Sequence, residues 1–222
     1  YAPDTPNAAW FTAPDTTAPT LSGVSISSDN STSSKAVPND VVSLTFTASE
    51  TISSPTVTFS SGGASVNGTV TVQNTSANTW TASYTANAND TDGAVSYSIA
   101  FSDTAGNAGT PVTSGSGSVT TDTTAPTLSA VSISSNNTNR SMATPTDVVT
   151  LSFTASETIQ SPTVTVSSGG AAVNGNVSVS NTSGNTWTAS FTANANDTAG
   201  PVTYRIAFSD TCLLYTSPSP RD

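Results

Sequence analysis

Residues 41–48 read VVSLTFTA: Val42, Leu44, Phe46 and Ala48 are apolar, and Ser43, Thr45 and Thr47 between them are polar. Successive side chains of a β-strand point to opposite faces, so this alternation predicts a strand with one apolar and one wet face. The run AVSYSIAF at 94–101 alternates likewise through Val95, Tyr97, Ile99 and Phe101, and TWTASYTA at 79–86 through Trp80, Ala82 and Tyr84. The pattern predicts extended runs at 20–28, 41–48, 55–60, 65–73, 79–86, 94–102 and 111–121. The separators (DNSTSSKAVPND, SSGG, NTSAN, NANDTDG and DTAGNAG) concentrate Gly, Pro, Asn, Asp and Ser, the residues that make turns. Short strands punctuated in this way predict an all-β, antiparallel β-sandwich, with Trp80 as the largest core anchor.

The pattern occurs twice. DTTAPTLS at 15–22 returns at 122–129, and residues 15–104 align with 122–211 without a gap, 68 of the 90 positions being identical. A period this long is a whole domain. The differences obey the strand geometry. Ser43 and Thr45 become Thr150 and Ser152, and Ala94, Ser96 and Ser98 become Pro201, Thr203 and Arg205, while the apolar positions between them persist. Phe59 and Tyr84 do change inward-facing character, to Val166 and Phe191, and the replacements stay apolar. One domain is therefore expected at 15–121 and a second at 122–211, the latter stopping before its last strand. Residues 1–14, with Trp10 and Phe11, match nothing in the repeat and read as the end of a preceding domain or a linker. Residues 212–222, CLLYTSPSPRD, break the composition abruptly and resemble a translated transposase sequencing adapter, so they are expected to be an artefact.

Composition narrows the function. Ser and Thr make up 81 of 222 residues, charged residues only 8%, and the net charge is −10 with Lys plus Arg totalling 4. Too few cations exist to neutralise a phosphate backbone or hold an anionic membrane surface, so neither nucleic acid nor membrane is an expected partner. No apolar run approaches the ~18 residues of a membrane-spanning helix. The chain has no His, which excludes Ser/His/Asp and Cys/His nucleophile systems. The single Cys212 has no partner in the chain for a disulfide and does not make a zinc site. The Gly-containing stretches SSGGA (60–64) and GSGS (115–118) precede no helical pattern and are not phosphate cradles. The acids sit on polar loops without an aromatic-lined cleft, so glycoside cleavage is not indicated. A non-catalytic protein is expected.

The acids do carry a pattern. Asp15/Asp122, Asp40/Asp147, Glu50/Glu157, Asp90/Asp197 and Asp103/Asp210 recur between the copies. Alternating strand direction brings the start of the first run, the loop after 41–48 and the loop after 94–102 to one pole. Asp15, Glu50 and Asp103, with Asn107, should meet there, and Asp122, Glu157 and Asp210 should meet in the second copy. Asp90, near Asp40 at the opposite pole, is a further candidate ligand, expected to face the second copy's acids. Oxygen-only clusters select a hard cation such as Ca²⁺. Two readings stay open: a Ca²⁺ site, or turn caps and Asx-turns among solvated loop acids.

The stretches DTTAPT, FTASETI (46–52) and FSDTAGNAG (101–109) resemble the bacterial Ig-like repeats of large secreted surface proteins and adhesins. The resemblance covers 15–211 and implies two tandem Ig-like sandwiches on the bacterial cell surface. Their partners would be neighbouring Ig-like repeats, with any host or surface ligand held by domains outside this chain. Similar repeats form adhesin stalks, and some relatives bind calcium at domain junctions. A glycan- or surface-binding module and a spacer attached to a secreted hydrolase are the alternative readings.

Overall fold

A computed structural model describes residues 13–211. Trp10, Phe11 and the adapter-like 212–222 lie outside the described residues. The chain divides into two compact units, 1–122 and 123–222, and no helix occurs among the described residues.

Unit 1 contains β1 (Leu21–Ser28), β2 (Lys35–Ala36), β3 (Val41–Ala48), β4 (Thr56–Ser61), β5 (Ala64–Ser65), β6 (Thr71–Ser76), β7 (Thr79–Thr85), β8 (Gly93–Ala100) and β9 (Thr120–Thr121). One sheet has the order β1-β3-β7-β6 and the other β2-β9-β8-β4-β5. Register follows the apolar alternation: Val42 pairs with Tyr84, Leu44 with Ala82 and Phe46 with Trp80. In the second sheet Val57 pairs with Ile99 and Phe59 with Tyr97. Both inner faces feed one core, in which Val42, Leu44, Ala82 and Ile99 are fully buried. The Phe59 and Tyr84 rings, one from each sheet, lie 5.0 Å apart at 46° and join the layers by a tilted aromatic contact. Each such buried side chain contributes about 1.5–3 kcal/mol relative to exposure. A one-residue slip would turn the whole apolar set outward, which is why the register is unique.

Unit 2 repeats this with β10 (Leu128–Ser135), β11 (Val148–Ala155), β12 (Thr163–Ser168), β13 (Ala171–Ala172), β14 (Ser178–Ser183), β15 (Thr186–Thr192) and β16 (Val202–Ala207). Its sheets are β10-β11-β15-β14 and β13-β12-β16. Leu151 opposes Ala189, and Phe153 opposes Trp187. Segment 108–121 of unit 1 has no counterpart among the described residues of unit 2.

Three features depart from the sequence expectation. The run at 65–73 is two pieces in different sheets: β5 pairs with β4, and β6 pairs with β7. Between them Asn67 is held through its N–H by Asp90 Oδ1 at 2.7 Å, which carries the chain across the edge of the sandwich. The run at 111–121 is a regular strand only at Thr120–Thr121, with isolated bridges at Val112 and Ser116. Pro111 offers no N–H, and Gly117 has φ +77°, outside the extended region. Finally, β2 lies in a separator expected to be turn only, and its pairing with β9 is parallel rather than antiparallel.

Candidate metal centre

Strand direction delivers three acids of unit 1 to one pole. Asp15 precedes β1, Glu50 follows β3, and Asp103 follows β8. One carboxylate oxygen from each lies within 4.8 Å of the others. The converging segments are stitched by backbone: Ser49 N–H donates to Thr20 O at 2.9 Å, and Ser53 N–H to Ser102 O at 2.9 Å. Thr20 N–H donates to Ser49 Oγ, fixing the leading segment against the turn that carries Glu50.

Asp103 is buried, 3% exposed, and its oxygens are held from one side. Oδ1 accepts from Gly106 N–H at 2.7 Å and Asn107 N–H at 2.8 Å, and Oδ2 accepts from Asn107 Nδ2 at 2.7 Å. These donors, the Asn107 side chain foremost, hold the Asp103 carboxyl below the usual carboxylate range against the opposing effect of burial. Asn107 Nδ2 also donates to Asp15 O at 3.0 Å. Asn107 therefore positions Asp15 and Asp103 with its amide nitrogen. Glu50 moves the other way: desolvation first, then the charges of Asp15 and Asp103, push its carboxyl up. No Lys or Arg occurs in 13–20, 49–54 or 101–109.

Asp122, Glu157 and Asp210 form the same kind of group, with oxygens within 4.8 Å of one another and Asp210 buried. The position corresponding to Asn107 is Leu214, outside the described residues.

Asp90 belongs to neither group. It is 4% exposed and works as a loop clamp. Oδ1 accepts from Asn67 N–H and Nδ2, and Oδ2 from Asn87 N–H at 2.9 Å. Asp197 does the same for Asn174 and Asn194. Asp40 accepts from Asn30 Nδ2 and Val37 N–H, and Asp147 from Asn137 Nδ2 and Thr144. These donors lower the Asp147 and Asp197 carboxyls. The Asn residues spaced ahead of each acid were the readable sign of these clamps. The acids thus differ in surroundings: Asp40, Asp90, Asp147 and Asp197 serve as clamps for N–H donors, while in the triads carboxylate also faces carboxylate, Asp103 accepting N–H donors besides.

No family model matches the sequence, and no curated protein matches it. Solved structures do. The "I-band fragment I67-I69 from titin" is similar at 10% identity and TM-score 0.55, over 92% of this chain and 64% of that one. A variant of the same three titin domains gives TM-score 0.48 at 12% identity, covering 91% and 63%. "DIP-gamma IG1+IG2" gives TM-score 0.40 at 11% identity, covering 91% and 94%. The chain thus spans just under two thirds of the length of the first two. The first likeness agrees with the sheet orders of unit 1, which are those of the immunoglobulin sandwich, and shows the fold as tandem Ig-like domains.

Proposed function

We propose that this chain is a non-catalytic spacer from an extracellular bacterial surface protein, an adhesin stalk segment whose sandwiches are each locked by Ca²⁺ where the chain enters them. The supporting observation is the convergence, in both copies, of three carboxylates from segments far apart in sequence. Calcium takes six to eight oxygens at about 2.3–2.6 Å, so oxygens on opposite sides of one ion are about 4.8 Å apart. A group with all its oxygens within 4.8 Å is therefore reachable by a single ion. The ion would offset the desolvation and the neighbouring negative charges that raise Glu50, and tie the leading segment to the loops after β3 and β8.

The spacer reading is supported by the tandem fold, by outward strand positions made of Ser and Thr, and by a chain without His. Polar outer faces and a net charge of −10 resist lateral sticking of the strands. Calorimetric titration of the intact chain with CaCl₂ is the test. The expected result is saturable heat together with a melting temperature that rises with Ca²⁺ and returns in EDTA. No heat and an unchanged melting temperature at millimolar Ca²⁺ would remove the cation from this reading.

A further inference from the structure

Asn-Gly occurs at two places in the sequence, Asn67-Gly68 and Asn174-Gly175, and the two are counterparts in the repeat. Each lies where the chain crosses from one sheet to the other, between β5 and β6 in unit 1 and between β13 and β14 in unit 2. The glycine is required for space rather than for a turn. Neither Gly68 nor Gly175 has a positive φ, but a Cβ on Gly68 would stand 2.3 Å from Thr85 O, and one on Gly175 would stand 2.9 Å from Thr192 O. Close passage over β7 and β15 therefore puts the least hindered kind of backbone nitrogen next to a side-chain amide. Both Asn residues are exposed to water.

The acid clamps restrain these amides. Asn67 Nδ2 donates to Asn89 O at 2.8 Å and to Asp90 Oδ1 at 3.1 Å, the oxygen that also accepts Asn67 N–H. Asn174 Nδ2 donates likewise to Asn196 O at 2.9 Å and to Asp197 Oδ1 at 2.9 Å. The clamps differ in depth: Asp90 is buried, and Asp197 is only partly buried. Local opening that breaks such bonds comes more easily where the acceptor is nearer water.

We propose that Asn67 and Asn174 are sites of spontaneous deamidation, each paced by its clamp acid, and that conversion loosens the crossing from sheet to sheet. Gly68 N attacks Asn67 Cγ and forms a new C–N bond. Its proton passes through water to Nδ2, the Cγ–Nδ2 bond breaks, and Nδ2 leaves as ammonia. Water then opens the cyclic imide at either carbonyl, giving Asp or isoaspartate, with nothing oxidised or reduced. The ring closes only when Cγ swings onto Gly68 N, and the Nδ2 bonds to Asn89 and Asp90 oppose that swing. The product has no Nδ2 donor for Asn89 O and sets a carboxylate beside the buried Asp90, where like charges repel. Isoaspartate also lengthens the backbone at the crossing. Asn174, Gly175 and Asp197 follow the same course in unit 2.

The test incubates the intact chain at mildly alkaline pH, folded and in urea, and follows both Asn residues by peptide mass mapping with isoaspartate labelling. In urea the two Val-Asn-Gly sequences should convert at similar rates. In the folded chain both should convert more slowly, with Asn174 several-fold ahead of Asn67. D90A should speed Asn67 about tenfold and leave Asn174 unchanged, and D197A should do the reverse. Amide exchange at Leu44 and Ala82 shows whether unit 1 of D90A is still folded; if it is not, the order of the two sites in the unaltered chain decides. N67D, which supplies the converted side chain directly, should lower the melting temperature of unit 1, speed exchange at Asn87, and leave unit 2 as it was. Folded chain that stays unconverted while the urea sample converts fully overturns the proposal, as do equal rates in both states or Asn67 converting ahead of Asn174. An unchanged melting temperature for N67D overturns the loosening.

Discussion

A carboxylate in this protein is defined by what faces it. Asp90 faces N–H groups: it is 4% exposed and satisfies the backbone donors of Asn67 and Asn87. Asp90→Ala leaves those donors without their acceptor, and we expect unit 1 to lose about 1–3 kcal/mol in urea unfolding, with Asp197→Ala doing the same to unit 2. Glu50 instead faces carboxylates, and its pH dependence has the opposite sign from that of the clamps Asp147 and Asp197. Its folded pKa is raised above the ordinary 4.5, so the folded state holds the proton longer than the unfolded chain. Without Ca²⁺, stability from this group is present below about pH 4.5 and is lost as pH rises through the raised value. E50Q should therefore flatten that pH window, raise the melting temperature of unit 1 at neutral pH without Ca²⁺, and abolish the Ca²⁺-induced rise of unit 1 while leaving that of unit 2. A melting curve in which E50Q lowers stability without Ca²⁺ would contradict this. Asp103 runs the other way: its folded pKa is lowered, so its contribution is present above the ordinary 3.8 and is lost as pH falls through the folded value.

Strands built on strict alternation are insulated from their surroundings, and those built on Gly and Pro are not. β3 and β7 follow from the order of Val42, Leu44, Phe46 and Trp80, Ala82, Tyr84, and their partners across the ladder are the residues that alternation selects. Segment 108–121 is different. Pro111, Gly115 and Gly117 deny it a continuous ladder, and it is held by being shared between two sheets. Gly117 combines φ +77° with a Cβ position 2.1 Å from Ile26 O, so Gly117→Val strains the backbone and drives it off β1. The expected cost is about 3 kcal/mol or more, read as an earlier unfolding transition for unit 1 and an unchanged one for unit 2. Equal loss in both units would show that the segment does not act within unit 1 alone.

Two cores in one chain predict two unfolding events. Each unit has its own buried cluster, one around Leu44, Phe46 and Ile99 and the other around Leu151, Phe153 and Ile206. Stretched from its ends, the chain should give two force peaks, each releasing about 300 Å of contour at roughly 3.3–3.6 Å per residue. Ca²⁺ should raise both peaks, since each unit carries its own triad. A single peak would mean that the two clusters unfold together, against the spacer reading.

Alternation, turn residues and the repeat are local properties, and they are enough to specify strands, faces and the doubling of the domain. Substitutions between the copies fall mostly on the outer face because that face meets water and tolerates them, so comparing the two halves reads burial directly. The meeting of Asp15, Glu50 and Asp103 was also legible, because antiparallel order alone sends their loops to one pole. Tertiary structure decided what depends on neighbours remote in the chain. Asn107 reaches back 92 positions to Asp15 and turns a possible ligand into a positioning group. Asp90 and Asp197 became clamps because Asn67 and Asn174 cross from sheet to sheet beside them. Segment 108–121 has too little apolar periodicity to reveal that two sheets share it. Hydrogen bonds between distant backbones carry no signature in the side-chain order, and so the sharing of segment 108–121 between β1 and β8 is visible only in three dimensions.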